Sequence, residues 1–283
     1  MSRLADLHLH TVASDGTWTP AELAAILVSR GIGVFSVTDH DSLASLPEAG
    51  RAAQAHGLAF MTGVEFSTQL DGFKIHLLGY GFDPEDPGLH RLAHENEERE
   101  AENDRRAVAV LESRGEAVSL DAYDRFEMDP GRGGWKSLQY LVDQGLCRDW
   151  RECLRLFFVG PGGIGLPVYP DPDVFIRAIH AAGGRAVLAH PGSGILSADE
   201  PESGRPFLDR LLGLGLDGFE CFHPENPPSV SRYLAALTDS LDLVRTGGSD
   251  CHGSFVPERQ VGRPPVRVSD LRLKDIRLLA NPG

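Results

Sequence analysis

Short apolar runs alternate with amphipathic helical segments along most of this chain, and that rhythm restricts the fold more than any other feature. "RLADLHLHT", "GVFSVTDHD", "LAFMTGVEFST" and "KIHLLGY" read as strands. "TPAELAAILVSRG" and "ASLPEAGRAAQAHG" read as helices; in the first, Thr19 is the N-cap, Pro20 the first helical residue, and Gly31 follows the end. The rhythm resumes late in the chain. Helices "DPDVFIRAIHAAGG", "GRPFLDRLLGLG" and "PSVSRYLAALTDS" alternate there with strands "RAVLAHP", "GFECFHP" and "LVRTGGSD". Repeated βα units imply a parallel sheet with right-handed crossovers. Seven such strands in 283 residues predict an α/β fold, a closed or nearly closed barrel.

Residues 86–168 break the rhythm. "HRLAHENEEREAENDRRAVAVLESRG" reads as one long charged helix, "WKSLQYLVDQGL" and "DWRECLRLFFVG" as two shorter ones, and "GPGGIGLP" returns the chain to the barrel. The expected organisation is a barrel from 1–85 and 169–283, with a small all-helical insertion domain at 86–168.

Composition narrows the function. A formal net charge of −14 speaks against nonspecific coating of nucleic acid, yet leaves room for a small phosphorylated substrate if metal ions invert the local field. No stretch is long and apolar enough to cross a bilayer, and the N-terminus enters a strand pattern without a leader-like segment. The cysteines at 147, 153, 221 and 251 show no CxxC spacing and read as reduced thiols of a cytoplasmic protein. Nothing here defines an oligomeric state.

The histidines sort into two groups. His56, His90, His94 and His180 fall in helical segments and read as surface residues. His8, His10, His40, His76, His190, His223 and His252 fall at or just beyond strand ends, where parallel barrels build their reactive sites. Any one of these could be an ordinary rim residue. Seven of them, interleaved with Asp15, Asp39, Asp41, Glu65, Glu220 and Asp250, are costly to gather unless something pairs them. In "GGSDCHG", strand alternation would aim Asp250 and His252 at one point and turn Cys251 away. Cys221 is read likewise as a core thiol. Mixed nitrogen and oxygen donors without thiolate suit Mn²⁺, Fe²⁺ or Zn²⁺.

"DLHLHTVASDG", "VTDHD", "GVEFS", "IHLLGY", "LAHPG", "ECFHP" and "GSDCHG", in this order, resemble the successive motifs of the PHP (polymerase and histidinol phosphatase) family. The resemblance implies a distorted (β/α)7 barrel with two or three divalent metals, closest to free-standing phosphoesterases with a helical insertion. It would place His8, His10, Glu65 and Asp250 on a first metal. Glu65 would bridge to a second, completed by His76 and His190. Asp15, His40 and His252 would hold a third. Such a cluster favours in-line attack by a metal-bridging hydroxide on a small phosphomonoester: a nucleoside monophosphate, a 3′,5′-bisphosphate or a short RNA end. His223 is the candidate phosphate contact or general acid; otherwise it is a rim histidine bonded to Glu220 or Asp39.

Relatives present arginines from the inserted helix to the substrate. In "EEREAENDRR", Arg99 fits the first, whereas the second falls at Glu102. Lys136 is the candidate replacement, so Arg99 and Lys136 are the expected phosphate contacts. The alternative for Arg99, Arg105 and Arg106 is a solvated face with i,i+4 ion pairs. A histidinol-phosphate or other small-metabolite phosphatase is an alternative activity. An amidohydrolase-type metal hydrolase is another, but it needs a strand lysine, and Lys74 is read as facing away from His76. A non-catalytic metal-binding module is the remaining reading.

Overall fold

The computed structural model describes residues 3–158 and 164–278. The strands are β1 (Leu4–Asp6), β2 (Ile32–Val37), β3 (Ala59–Leu70), β4 (Phe73–Tyr80), β5 (Arg185–Leu188), β6 (Gly218–Phe222), β7 (Val244–Gly247) and β8 (Val266–Arg267). They form one sheet in the order β7-β6-β5-β4-β3-β2-β1-β8. Residues just past β1 and β7 bring its two sides together. Leu7 N donates to Gly247 O at 3.2 Å, Asp250 N to His8 O at 2.8 Å, and His10 N to Cys251 O at 3.0 Å. A seven-strand barrel results, with the two-residue β8 lying antiparallel on the start of β1.

The barrel is not all parallel, contrary to the simple βα expectation. β4 runs antiparallel to both β3 and β5. The cause is local: Asp71 and Gly72, both at positive φ, close a hairpin between β3 and β4, so no crossover helix intervenes. Glu65 and His76 therefore sit inside long strands rather than at strand ends. The hairpin still delivers both to the same mouth, because Glu65 pairs with Leu78 and His76 with Ser67 across the ladder.

The helices are α1 (Pro20–Ser29), α2 (Leu46–His56), α3 (Pro87–Ser113), α4 (Leu120–Arg125), α5 (Lys136–Asp143), α6 (Trp150–Phe158), α7 (Pro172–Ala181), α8 (Arg205–Gly213) and α9 (Pro228–Ser240). Thr19 caps α1 through a capping box with Glu22, as its sequence predicts. Leu7, Val34, Met61, Leu78, Tyr80, Val187 and Val244 share one core cluster formed by the strands. Leu23 and Leu27 of α1, Phe175 and Ile179 of α7, and Leu234 of α9 pack with the outer faces of the strands in another. Burying such side chains is worth about 1.5–3 kcal/mol each.

α3 spans two cores. Its Leu89, Leu92 and Ala93 join the barrel cluster, whereas Ala107, Val108 and Leu111 join a separate cluster with Tyr123, Leu138, Tyr140 and Leu141. α4 was not foreseen in the sequence. Among the described residues, 86–158 contain helices and no strand; part of the returning "GPGGIGLP" segment lies outside the described residues.

One expectation is overturned here. Cys147 and Cys153 form a disulfide, with Cα atoms 5.4 Å apart. Cys147, just after α5, and Cys153, in α6, lie in one core cluster, so residues six apart meet there, a pairing that sequence spacing does not advertise. Cys221 and Cys251 are buried free thiols in the barrel cluster, as expected, and burial raises them to about 12 and about 11.

Candidate metal centre and the cavity above it

Glu65 is the hub of the barrel mouth. Its Oε2 lies 3.0 Å from His8 Nε2, 3.2 Å from His10 Nε2 and 3.2 Å from His40 Nδ1. Its Oε1 lies 2.9 Å from both His76 Nδ1 and His190 Nε2. Asp250 Oδ1 faces the same two imidazoles, 3.3 Å from His8 Nε2 and 3.0 Å from His10 Nε2. Asp15 Oδ1 lies 3.3 Å from His252 Nε2 and 3.5 Å from His10 Nδ1, and its Oδ2 lies 4.0 Å from His40. The structure thus brings together all nine residues named as metal ligands from the sequence. Among the described residues, four sets have donor atoms close enough for a shared ion: His8, His10, Glu65 and Asp250; His10, Asp15, His40 and His252; His40, Glu65 and His76; and, behind His8, the set His8, Glu220 and His223.

The donor set fits divalent cations on an observation independent of its composition. His10 Nε2, His40 Nδ1 and Asp250 Oδ1 are buried side-chain atoms with no hydrogen-bond partner, although carboxylates or imidazoles crowd around them. Buried polar atoms left this way are costly, and a cation at their meeting point removes the cost.

Charge follows the same geometry. Burial raises the Glu65 pKa, but His8, His40 and His76 outweigh it and hold the carboxylate well below its ordinary range. Burial acts likewise on Asp250, where His8 and His252 keep it ionised. Burial opposes a proton on His10, yet Asp250 and Glu65 push it up to about 10. Burial brings His76 down to about 4 and His40 well below its usual value, leaving both neutral and ready to ligate.

Neighbouring groups fix these side chains. Glu220 accepts from His190 N at 2.8 Å and lies 3.0 Å from His8 Nδ1. Asp39 accepts from Thr11 N and from the hydroxyls of Thr11, Ser14 and Ser45, which shapes the loop carrying Asp15. A Cβ at Gly248 would run into the backbone nitrogen and Cβ of His8, so the second glycine of "GGSDCHG" is what lets the barrel close at this point.

The alternation argument for Asp250 and His252 needs correction. β7 ends at Gly247, and Asp250 is left-handed at φ 52°. Both side chains still face the centre and Cys251 faces the core, because Cys251 bridges Leu9 and sets the local register. A non-glycine residue held at positive φ stores strain, and His190 at φ 29° and Asp41 at φ 47° share that trait around the mouth.

A PHP domain model matches residues 6–129. The 3′,5′-nucleoside bisphosphate phosphatase of Chromobacterium violaceum is 30% identical over 284 residues, covering 97% of each chain. The chain belongs to the PHP domain family. A 5′-3′ exoribonuclease of Haemophilus influenzae is 30% identical over 89% of this PHP chain and 91% of its own length. Among solved structures, a Bifidobacterium adolescentis protein described as a candidate metal-dependent phosphoesterase superposes with a TM-score of 0.78 at 26% identity, covering 94% and 93% of the two chains.

Above the PHP centre lies a cavity of about 410 Å³. Asp15, His40 and His76 line its inner part. Lys74, Glu97, Glu100, Asp104, Tyr123 and Lys136 are among those that line the rest. Lys136 is therefore where the sequence reading wanted a substrate contact. Its Nζ lies 4.6 Å above the Tyr123 ring. Arg99 is not on the cavity wall: its guanidinium donates to Asn96 at 3.1 Å and lies 3.6 Å from Glu95. Lys74 shares the cavity with His76, as residues two apart on a strand must, so the reading that turned it away is wrong. Its amine is engaged by Tyr169 at 3.1 Å and Glu100 at 3.5 Å.

His223 is buried and bonds neither Glu220 nor Asp39 in the way foreseen. Its Nδ1 accepts from Glu225 N at 3.0 Å, which leaves Nε2, 3.1 Å from Asp250 Oδ2, as the protonated atom of the neutral ring. Arg259 was missed by sequence reading. It grips Asp250 Oδ2 and Glu225 together, linking the loops after β6 and β7. Its signal was faint, one arginine in "VPERQ" nine residues beyond Asp250.

Proposed function

We propose that the chain is a metal-dependent phosphoesterase acting on small, nucleotide-like phosphomonoesters, with two to three divalent ions (Mn²⁺, Fe²⁺ or Zn²⁺) held by His8, His10, Asp15, His40, Glu65, His76, His190, Asp250 and His252. The observation that carries this reading is the meeting of three orphaned buried donors, His10 Nε2, His40 Nδ1 and Asp250 Oδ1, in a cluster that opens on a nucleotide-sized cavity. The relatives' names, a nucleoside bisphosphate phosphatase and an exoribonuclease, support the nucleotide-like class.

Bound ions would supply Lewis acidity to the phosphoryl oxygens and lower the pKa of a water. The chain's own groups do the rest. Glu220 orients His8 so that Nε2 faces the centre. Arg259 and His223 occupy Asp250 Oδ2 and leave Oδ1 toward the imidazoles. His223 presents an Nε2 proton to Asp250 Oδ2, which suits it to a hydrogen-bonding contact. Giving up that proton from the singly protonated ring would leave an imidazolate, so protonation of a leaving alkoxide by His223 requires the imidazolium form. Lys136 is the proposed substrate contact, and the insertion at 86–168 is the proposed cover over the mouth.

No described helix is long and apolar enough to cross a membrane. The cysteines no longer argue for a reducing, cytoplasmic setting once Cys147 and Cys153 pair.

The deciding experiment is a turnover screen of Mn²⁺-loaded protein on nucleoside mono- and bisphosphates, 5′-phosphorylated short RNAs, histidinol phosphate and sugar phosphates. Release of phosphate from a nucleotide is expected. Metal binding without turnover of any phosphoester would leave the binding-module reading.

A further inference from the structure

The wall of the cavity facing the metal centre carries an unexpected charge pattern. α3 contributes Glu97, Glu100 and Asp104 to it. Its cations are Lys74 and Lys136, and Lys74 is already engaged by Glu100 and Tyr169. The four arginines of the same helix are turned elsewhere, Arg91 toward Glu95. Arg99 is tied to Asn96 and Glu95, Arg105 makes a two-pronged bond to Asp124, and Arg106 donates to Asn103 Oδ1. None of the four lines the cavity. Lys136 remains, with its Nζ over the Tyr123 ring and 3.5 Å from a backbone carbonyl.

A second phosphate on the substrate would bring up to two further negative charges against this wall. A dianion is normally received by arginine forks or several cations. Among the described residues it would meet two or three carboxyl groups and Lys136, which a ring and a backbone carbonyl hold but no ion pair does. Like charges facing each other in a partly desolvated site disfavour the wrong ligand. Trp135, Tyr123, Ala101, Leu154 and Leu166 on the same wall offer apolar and aromatic surface instead.

We infer that the outer wall selects a substrate with a single phosphate, a nucleoside monophosphate whose sugar and base enter the cavity uncharged, and rejects the 3′,5′-bisphosphate. This rests on the phosphoesterase reading above. Lys136 then serves one oxygen of the sugar or base rather than a second phosphate.

The test compares kcat/KM of the metal-loaded protein for adenosine 5′-monophosphate and adenosine 3′,5′-bisphosphate, with p-nitrophenyl phosphate as a third substrate. The monophosphate is expected to be preferred by at least about tenfold. In Glu97→Gln/Glu100→Gln, which removes an exposed and a half-buried charge from α3 and loosens the hold on Lys74, that ratio should shrink severalfold. Single Glu97→Gln provides a milder variant if the double one folds poorly, with circular dichroism checking helix content. Equal or better use of the bisphosphate by the parent protein, or a ratio unmoved in a folded variant, would overturn the inference while leaving the phosphoesterase reading intact. No turnover of any of the three substrates would overturn this inference, and the wider phosphoester screen above then decides separately whether the phosphoesterase reading stands.

Discussion

Glu220 Oε1 lies 3.0 Å from His8 Nδ1, behind the imidazole whose Nε2 lies 3.0 Å from Glu65. Both His8 and Glu220 are fully buried. The carboxylate accepts the Nδ1 proton, which fixes the tautomer and leaves Nε2 free to ligate. Glu220→Gln keeps the shape and weakens that hold. Metal affinity should drop about 10–100-fold, the usual cost of losing such a supporting group, with the fold intact. Calorimetric titration with Mn²⁺ checks this, and an unchanged affinity would show that Glu220 is only a satisfied core acid.

Asp250 is more exposed to consequence than any other residue of the centre. Its Oδ1 faces His8 and His10, and its Oδ2 holds His223 and Arg259. Asp250→Ala should lose at least one equivalent of bound metal and abolish turnover. Elemental analysis of the purified variant beside a phosphate-release assay reads both. Full metal content with full activity would sink the assignment.

The extent to which the sequence disclosed this site follows from what each signal encodes. Ligand identity was readable because histidines and acids recurred at each strand in a fixed order, and that order is local to each motif. The antiparallel β4 was not readable, because a two-residue hairpin and a short βα loop leave similar traces in an apolar pattern; His76 reached the right place by a different route. Asp250 and His252 share a face, but through a left-handed residue rather than a strand. Arg259 and the Cys147–Cys153 bond depend on how loops fold back, and Arg99 on which face of α3 meets the cavity. No periodicity within the segment reports those.

Cys251 packs in the barrel core and bridges Leu9 through its backbone. Cys251→Ser puts a hydroxyl where a thiol was buried, so stability should fall by about 1–3 kcal/mol. Metal stoichiometry should hold, since the side chain faces away from the centre. Paired denaturant melts and metal analysis test this. A large loss of metal would show that residue 251 helps shape the site directly.

Asp104 of α3 gives the fold a pH dependence. Burial pushes its carboxyl up to about 7 from 3.8, against the lowering bond from Ser137 N. The folded form therefore holds its proton more tightly than the unfolded chain. That stabilisation is complete below about pH 4, shrinks as pH rises, and is gone above about pH 7, at about 1.4 kcal/mol per pKa unit. Asp104→Asn, neutral throughout, should flatten the fall in melting temperature between pH 4 and 7 relative to the parent. Parallel slopes for the two proteins would mean that Asp104 titrates normally.

Lys136 and Arg99 separate recognition from chemistry. Lys136 lines the cavity and Arg99 does not. If Lys136 holds an oxygen of the nucleotide away from the reacting phosphorus, Lys136→Ala loses a charge-assisted bond of about 1.5–3 kcal/mol. That is roughly ten- to a hundredfold in kcat/KM for the best nucleotide substrate. A small phosphoester such as p-nitrophenyl phosphate does not reach that far, so its rate should change little. Arg99→Ala should affect neither substrate, because its guanidinium is spent on Asn96 and Glu95. His40→Ala or Glu65→Ala should damage both substrates alike, since every phosphoester must use the centre. Equal losses on both substrates in Lys136→Ala would make the lysine a structural support of the insertion. No loss on either would return it to a solvated helix start, and a nucleotide-selective loss in Arg99→Ala would require α3 to turn when substrate binds.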